Sequence, residues 1–167
     1  MSSPCSADQG VRALETGSFK GSDPLIRDLA PYHTGTSMPT AKLTRSAPYF
    51  PVTDVARAAA HYQRVFGFDT EYSAGSPAEF AIVTRDGFAI MLRRVADAGP
   101  LSPNERQGGT WDVFFWVTDV RALHAELATN GADVVYGPVV QAGYHMEEFA
   151  VRDADGYVLG FGQPVSA

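Results

Sequence analysis

The chain has 167 residues, with 13 Lys or Arg against 19 Asp or Glu and a formal net charge of −6. This acidic balance, without a Lys/Arg cluster, argues against nucleic acid and anionic membranes as partners and mildly favours cationic ligands. Its one cysteine, Cys5, excludes an intramolecular disulfide, and no apolar run is long enough to span a bilayer. No secretory signal is recognisable, so we expect a cytoplasmic protein.

The N-terminal region differs in composition from the rest. Residues 1–43 are polar and rich in Ser, Gly, Pro and Thr, which predicts a flexible arm. Met38 begins a segment that runs directly into the first predicted strand, so we hypothesise that the preceding residues are a dispensable extension or an upstream mis-start. The remainder, 44–167, is predicted to form one domain, with a first module at 44–95, a linker at 96–109 and a second module at 110–165.

The first module is predicted to contain one strand, one helix and three further strands. Apolar residues recur at helical spacing after Asp54 until Gly67 stops the helix. Asp86-Gly87 suits a hairpin turn because Gly tolerates a positive φ. The predicted elements are a strand at 46–52, a helix at 54–66 and strands near 69–73, 78–84 and 88–94.

The second module repeats this order, and its helix is expected to end at Gly131. Asp155-Gly156 suits the turn of its last hairpin. Each half therefore has the order β-α-β-β-β. The predicted elements are a strand at 112–117, a helix at 119–130 and strands near 133–140, 146–152 and 157–162.

The two modules also share sequence. Val52-Thr53-Asp54-Val55 recurs letter for letter as Val117-Thr118-Asp119-Val120, and residues 80–92 align without a gap on 149–161. We interpret this as an internal duplication, which predicts two paired modules rather than a solenoid. A shared cavity between the copies is the expected place for function.

Period-2 alternation divides the strand residues between two faces. One face is uniformly apolar and is predicted to pack beneath a helix; it carries Phe50, Val52, Ile90, Leu92, Val113, Phe115, Val117, Leu159 and Phe161. The opposite face carries Tyr49, Met91, Arg93, Asp112, Phe114 and Trp116. A mixture of rings and charges favours a ligand groove or a subunit contact. Simple filling of a concave interior explains the rings equally well, and Asp112 with Arg93 suits either a structural ion pair or a ligand anchor.

The duplicated unit, the repeated Val-x-Asp-Val and the run from Glu148 to Gly156 resemble the vicinal oxygen chelate superfamily. That superfamily includes glyoxalase I, extradiol dioxygenases and bleomycin-resistance proteins. The resemblance covers about residues 41–165 and is greatest to the bleomycin-resistance branch, through Ala41-Lys42-Leu43-Thr44 and Phe114-Phe115-Trp116-Val117. It implies an α+β fold in which two tandem β-α-β-β-β modules form a concave mixed sheet with helices outside, and a homodimer with grooves at the subunit interface.

Metal-dependent members of that superfamily place His, Glu or Gln at four equivalent strand positions. Those positions here carry Ala47, Met91, Asp112 and Gly160, of which only Asp112 can bind a hard cation. This departure argues against inherited metal chemistry. We therefore expect no cofactor, with one divalent metal ion as the alternative.

The resemblance and the mixed face together predict a metal-free protein that sequesters a planar or cationic drug-like molecule. Tyr49, Phe114 and Trp116 would stack on this ligand. Asp112 would attract positive charge, and Met91 would pack adaptably against the ligand. His145 joins the predicted site because it stands at the pocket mouth, where similar sequences commonly have Gly.

Two other classes of function stay open. The first is a divergent metal-dependent lyase, isomerase or dioxygenase, or a metal-free enzyme; the second is an accessory protein whose groove only forms a dimer. No catalytic residue is assigned, because Glu147 and Glu148 are adjacent in a strand and should point to opposite faces.

Overall fold

A computed structural model describes residues 41–97 and 101–165. The predicted arm, except for the exposed, irregular residues 41–43, lies outside the described residues, as do Cys5 and Met38. Within the described ranges, no helix is both long and apolar enough to cross a membrane.

The first module forms a four-stranded mixed sheet with one helix. β1 runs parallel to β4, and the other neighbouring pairs are antiparallel, in the order β1-β4-β3-β2. β1 begins later than predicted, consistent with Pro48 having no N–H to donate to a neighbouring strand. The elements are β1 (Tyr49–Val52), α1 (Val55–Phe66), β2 (Asp69–Ala74), β3 (Phe80–Arg85) and β4 (Phe88–Arg94).

The second module follows a short 3₁₀ helix, Asn104–Gln107, and repeats the arrangement. Its strand order is β5-β8-β7-β6, and β5 runs parallel to β8. The predicted α+β class and the tandem modules are confirmed, although each module has its own sheet. The elements are β5 (Val113–Trp116), α2 (Val120–Thr129), β6 (Asp133–Gln141), β7 (Met146–Arg152) and β8 (Val158–Pro164).

Both helices begin at the repeated aspartate. The Asp54 carboxylate accepts a hydrogen bond from the Arg57 backbone N–H at 3.0 Å, and Asp119 accepts one from the Ala122 N–H at 2.9 Å. These caps satisfy amide donors that have no partner within the first turn. Gly67, with φ of 69°, ends α1 in the left-handed conformation.

The last hairpins of the two modules differ in their turns. Asp86 and Gly87 have φ values of 51° and 83° and form the predicted two-residue turn. The second turn is wider. The Asp153 N–H donates to the Tyr157 carbonyl at 2.8 Å, and the three residues between them form the loop. The Asp153 side chain holds this loop by accepting hydrogen bonds from the backbone N–H groups of Asp155 and Tyr157.

Apolar residues of both modules form one continuous core. Most of the face that was predicted to lie beneath a helix is buried, but Val113, Phe115 and Val117 are only partly buried. The modules meet directly in this core, where the Phe50 and Tyr157 rings stack with centroids 4.3 Å apart.

Candidate functional site

Each sheet has a face opposite its helix, which we call its open face. On the open face of the first sheet, cross-strand pairing places Tyr49, Met91, Ile82 and Tyr72 in one row. Tyr49 and Tyr72 are exposed. Arg93 is also exposed, and no ion pair to it is found within residues 41–97 and 101–165. This face is therefore an uncovered surface in a single protomer.

The corresponding row of the second sheet contains Phe114, Gly160, Ala150 and Tyr136. Trp111 folds over this row, with its ring centroid 4.7 Å from that of Phe114. Its indole N–H donates to the Tyr136 hydroxyl at 2.9 Å. Small residues in the middle of the row thus leave room for large rings above them.

The two rings occupy the space above Gly160 completely. A Cβ at Gly160 would lie 2.7 Å from Phe114 Cδ2 and 2.8 Å from Trp111 Cδ1. A Cβ at Gly162 would lie equally close to this ring, at 2.7 Å from Phe114 Cζ. Both distances are shorter than carbon atoms tolerate, so glycine is required beneath the aromatic pair.

Glu148 lies beside these rings and is only 2% exposed. Its Oε1 accepts hydrogen bonds from the Tyr136 hydroxyl and the Gln141 amide, both at 3.1 Å. Its Oε2 is buried and accepts no hydrogen bond of good geometry. The Tyr144 hydroxyl lies close enough to interact with this carboxylate, and burial together with that interaction raises the pKa of Tyr144. An unsatisfied buried carboxylate oxygen is costly, so this atom is available to a donor from outside the protomer.

A cavity of about 500 Å³ adjoins this carboxylate. It combines aromatic surface with a few polar groups, which is typical of small-molecule sites. Its walls include Trp111, Tyr136, Gln141, Tyr144 and Glu148.

The Tyr136 hydroxyl links the rings to the carboxylate. Burial, opposed by the hydrogen bond from Trp111 and assisted by the charge of Glu148, raises the pKa of Tyr136 to about 12. The phenol therefore stays protonated at neutral pH. It donates to Glu148 and accepts from Trp111 at the same time.

Glu147 and Glu148 point to opposite faces, as predicted. Glu147 accepts a hydrogen bond from Arg121 Nε of α2 at 2.9 Å, on the helix side of the sheet. Glu148 faces the aromatic rings. The two carboxylates therefore have separate environments and do not act on one substrate atom.

Asp112 forms structural hydrogen bonds, and its predicted role in ligand binding stays a prediction. Its Oδ1 accepts from the Asn104 N–H at 2.9 Å, and its Oδ2 accepts from the Val158 N–H at 2.8 Å. Oδ2 thus attaches the residue before β5 to the start of β8, and Oδ1 attaches it to the 3₁₀ helix. Asp112 forms no ion pair with Arg93.

The remaining predicted residues are divided between the two sheets. Phe114 and Trp116 lie together, with ring centroids 5.1 Å apart, and Trp116 is 71% exposed. Among the described residues, no ring contact joins them to Tyr49. His145 is exposed in the turn before β7 and has a φ of 53°, a conformation that favours glycine.

The four metal-ligand positions implied by the resemblance do not fit a divalent ion. Ala47 and Gly160 provide no donor, and Met91 provides only a soft thioether. Both carboxylate oxygens of Asp112 already accept backbone hydrogen bonds. In the part of the chain that the structure describes, no three His, Cys, Asp or Glu residues are grouped to hold a metal.

Sequence reasoning missed the residues that enclose Glu148. Trp111 precedes the predicted strand by one residue, so alternation assigned it to neither face. Tyr136 follows a register irregularity in β6, which interrupts the alternation there. Glu148 was within the motif that carried the resemblance. Its position on the face opposite Glu147 was the signal from which its place at the site could have been predicted.

The comparisons with known proteins agree with this fold. The family model of the Glyoxalase/Bleomycin resistance protein/Dioxygenase superfamily matches residues 43–161. No curated protein sequence matches the chain.

Three solved structures illustrate the similarity. TioX from Micromonospora sp. ML1 is 24% identical, with a TM-score of 0.59 over 73% of this chain and 99% of its own. The bleomycin-binding protein from Streptomyces verticillus, complexed with copper(II)-bleomycin, is 22% identical, with a TM-score of 0.57 over 76% and 100%. A glyoxalase-related enzyme from Clostridium phytofermentans is 14% identical, with a TM-score of 0.60 over 77% and 100%. At these identities the similarity shows the fold alone.

Proposed function

This chain belongs to the Glyoxalase/Bleomycin resistance protein/Dioxygenase superfamily, and from that premise we propose that it sequesters a small molecule on the open face of its second sheet without a bound metal ion. The observation that carries the proposal is the buried Glu148 carboxylate, whose Oε2 lacks a partner beside an aromatic wall. Recognition of a ligand donor by this oxygen would offset the cost of leaving it unpaired.

The surrounding rings define the class of ligand. Phe114 and Trp116 present a T-shaped pair, and Trp116 is exposed enough to stack on a planar molecule. Offset aromatic contacts contribute about 0.5 to 1.5 kcal/mol beyond surface burial. A positively charged N–H donor suits Glu148 best, since charge-assisted hydrogen bonds are the stronger kind. We therefore propose a planar, cationic ligand.

We further propose that the functional unit is a homodimer. The open face of the first sheet exposes Tyr49 and Tyr72, and that of the second exposes Trp116. Exposed aromatic surface of this kind marks interaction sites. In a dimer, the first sheet of one protomer would cover the second sheet of its partner and bring Tyr49, Met91 and Arg93 to the groove.

The proposal is tested by following tryptophan fluorescence during titration with two probes. One probe is copper(II)-bleomycin, the molecule held by the Streptomyces verticillus protein; the other is doxorubicin, a planar polycyclic cation. We expect at least one probe to bind saturably. Glu148→Gln should weaken that binding about 10-fold, corresponding to about 1.4 kcal/mol.

Glu147→Gln is the matched control, because it makes the same change on the opposite face and should alter affinity less than 2-fold. Trp116→Ala should weaken binding without changing the far-UV circular dichroism spectrum. Failure of both probes to bind at millimolar concentration, or unchanged affinity in Glu148→Gln and Trp116→Ala, would contradict the proposed site. Native mass spectrometry tests the proposed homodimer and the proposed binding without metal. A monomer would contradict the homodimer, and a stoichiometric metal ion would contradict metal-free binding.

A further inference from the structure

The two modules meet at two equivalent places, where a helix start of one contacts the last hairpin turn of the other. Strand register shows which positions of the two modules are equivalent. Tyr49 pairs with Met91 in the first module, and Phe114 pairs with Gly160 in the second. We call the contact of the α1 start with 153–157 the closed junction. The contact of the α2 start with 85–88 is the open junction.

The closed junction is filled by polar and aromatic contacts. Asp155 accepts hydrogen bonds from Thr53 Oγ1 at 3.0 Å and from Arg57 Nη2 at 2.8 Å, and its side chain is 3% exposed. The Tyr157 ring stacks on Phe50 at 4.3 Å, and its hydroxyl donates to the Pro51 carbonyl. Hydrogen bonds and a ring stack thus join the helix start to the turn.

The open junction lacks each of these contacts. Ala122 stands where the closed junction has Arg57, so α2 provides no guanidinium to the turn at this position. Asp86, the counterpart of Asp155, has a side chain that is 85% exposed. Phe88, the counterpart of Tyr157, is 58% exposed, and its centroid lies 6.1 Å from that of Phe115 at an interplanar angle of 73°. These two rings meet edge to face, whereas their counterparts stack.

The result is a cavity of about 520 Å³ in the open junction. This volume is in the range of drug-sized ligands. Its walls are mainly aromatic and aliphatic, from both modules. They include Phe66, Phe68, Phe88, Phe115, Leu123 and Phe161.

The rim of the cavity is acidic. Asp86, Asp119 and Glu126 all line it, and Arg85 is the single cation among its lining residues. Arg85 is already engaged, because it donates to both carboxylate oxygens of Glu126 at 2.9 Å and to the Phe66 carbonyl at 2.6 Å. Arg85 Nε also lies 3.6 Å from Asp86 Oδ2. Three carboxylates therefore share the one guanidinium among the lining residues, which leaves the rim with an excess of negative charge.

We propose that the open junction is a second small-molecule site, which takes an aromatic cation. The ring of this ligand packs against the edge-to-face pair of Phe88 and Phe115, where the closed junction has a stacked pair. Its cationic group lies at the rim beside Asp86 and Asp119, and the aromatic walls add cation–π attraction. Glu148 does not line this cavity, whereas Trp116 does, so the two proposed sites share one wall residue but differ in their carboxylates.

The probe for this site is 1-naphthylmethylammonium, and the uncharged probe of matched shape is 1-naphthalenemethanol. Both are titrated into the full chain while backbone amide NMR shifts are recorded. We expect the ammonium to bind at least 5-fold more tightly than the alcohol, with the largest shifts at residues lining the open junction. Equal affinity of the two probes would overturn the cationic class of ligand.

Ala122→Arg installs the side chain that the closed junction has at the equivalent position. We expect it to fill the cavity and weaken probe binding at least 10-fold. Ala125→Arg is the matched control, because it places the same charge on an exposed position of α2 that does not line the cavity. Phe88→Ala removes an exposed wall with little risk to folding and should also weaken binding.

Several outcomes would overturn the proposal. Wild-type affinity in both Ala122→Arg and Phe88→Ala would do so, as would the absence of saturable binding at millimolar probe. Loss of probe binding in Glu148→Gln would assign the probe to the open face instead. Competition between probe binding and self-association at rising protein concentration would assign the open junction to a second copy of the chain.

Discussion

The closed and open junctions have the same backbone arrangement but very different contents. Strand order, strand register and the capping aspartate are common to both. The closed junction buries Tyr62, whose hydroxyl donates to Asp153 at 2.9 Å. The equivalent positions of the open junction carry Leu127 and Thr84, which form no such pair. The repeated fold thus determines where the modules are in contact, while a few side chains determine whether the junction is packed or contains a cavity.

The largest expected difference between the junctions concerns pH. Burial raises the pKa of Asp153 from 3.8 to about 6. Between these values the folded state holds a proton that the unfolded state has released, so stability should fall as pH rises from about 4 to about 6. The linked change is up to about 3 kcal/mol.

Urea unfolding of wild type and Asp153→Asn across this range measures the effect. Asn keeps an acceptor for the two backbone N–H groups but does not titrate, so its stability should vary less with pH. The open junction has Thr84 at the equivalent position and contributes no such slope. Parallel pH profiles for the two proteins would contradict the prediction.

The second difference is between the turn aspartates. Asp155→Ala removes three hydrogen bonds at the closed junction, including one to Arg57, and should lower the free energy of unfolding by about 2 kcal/mol. Asp86→Ala, its exposed counterpart, should change that free energy by less than about 0.5 kcal/mol. Equal losses in chemical denaturation would show that the junctions are equally tight.

The third comparison is between the open faces. Gly160→Ala would place a Cβ 2.7 Å from Phe114 and 2.8 Å from Trp111, and should lower the free energy of unfolding by about 1.5 kcal/mol. Gly137→Ala is the control, because its nearest neighbour would be 3.9 Å away. The control should unfold at the same urea concentration as wild type or slightly higher. A tolerated Gly160→Ala would mean that the rings are loosely packed.

The smallest effects should be equal in both halves. Asp54→Ala and Asp119→Ala each remove one helix cap, at a cost of about 1 kcal/mol. Thermal melts of the two variants should therefore shift by similar amounts. Clearly different shifts would place the asymmetry in the helices as well as in the junctions.

Much of the fold was predictable because it rests on local signals. Capping aspartates, Gly67 and the Asp86-Gly87 turn located the elements to within a few residues. The repeated tetrapeptide also located the equivalent positions, and strand register agrees with them. These features depend on neighbours in sequence, and the sequence shows those directly.

The site was predicted less well because it depends on distant contacts. Alternation placed Asp112 on a ligand face, but its carboxylate bonds to amides of Asn104 and Val158. The role of Trp111 depends on Tyr136, which reaches it only because β6 is irregular. Phe114 and Trp116 do share a face, although their role in binding stays a prediction. The alternation within one strand does not reveal which side chain of another strand will contact it.

The packing of two rings over Gly160 also limits how this lineage can change. A mutation to Glu at position 160 would supply a donor at a position where metal-binding relatives have one. Its Cβ would, however, collide with Phe114 and Trp111. A donor side chain at this position therefore requires at least one ring to shrink first, and that step alone opens a hole in the sheet surface. Any route to a larger residue at position 160 thus needs two substitutions in a fixed order.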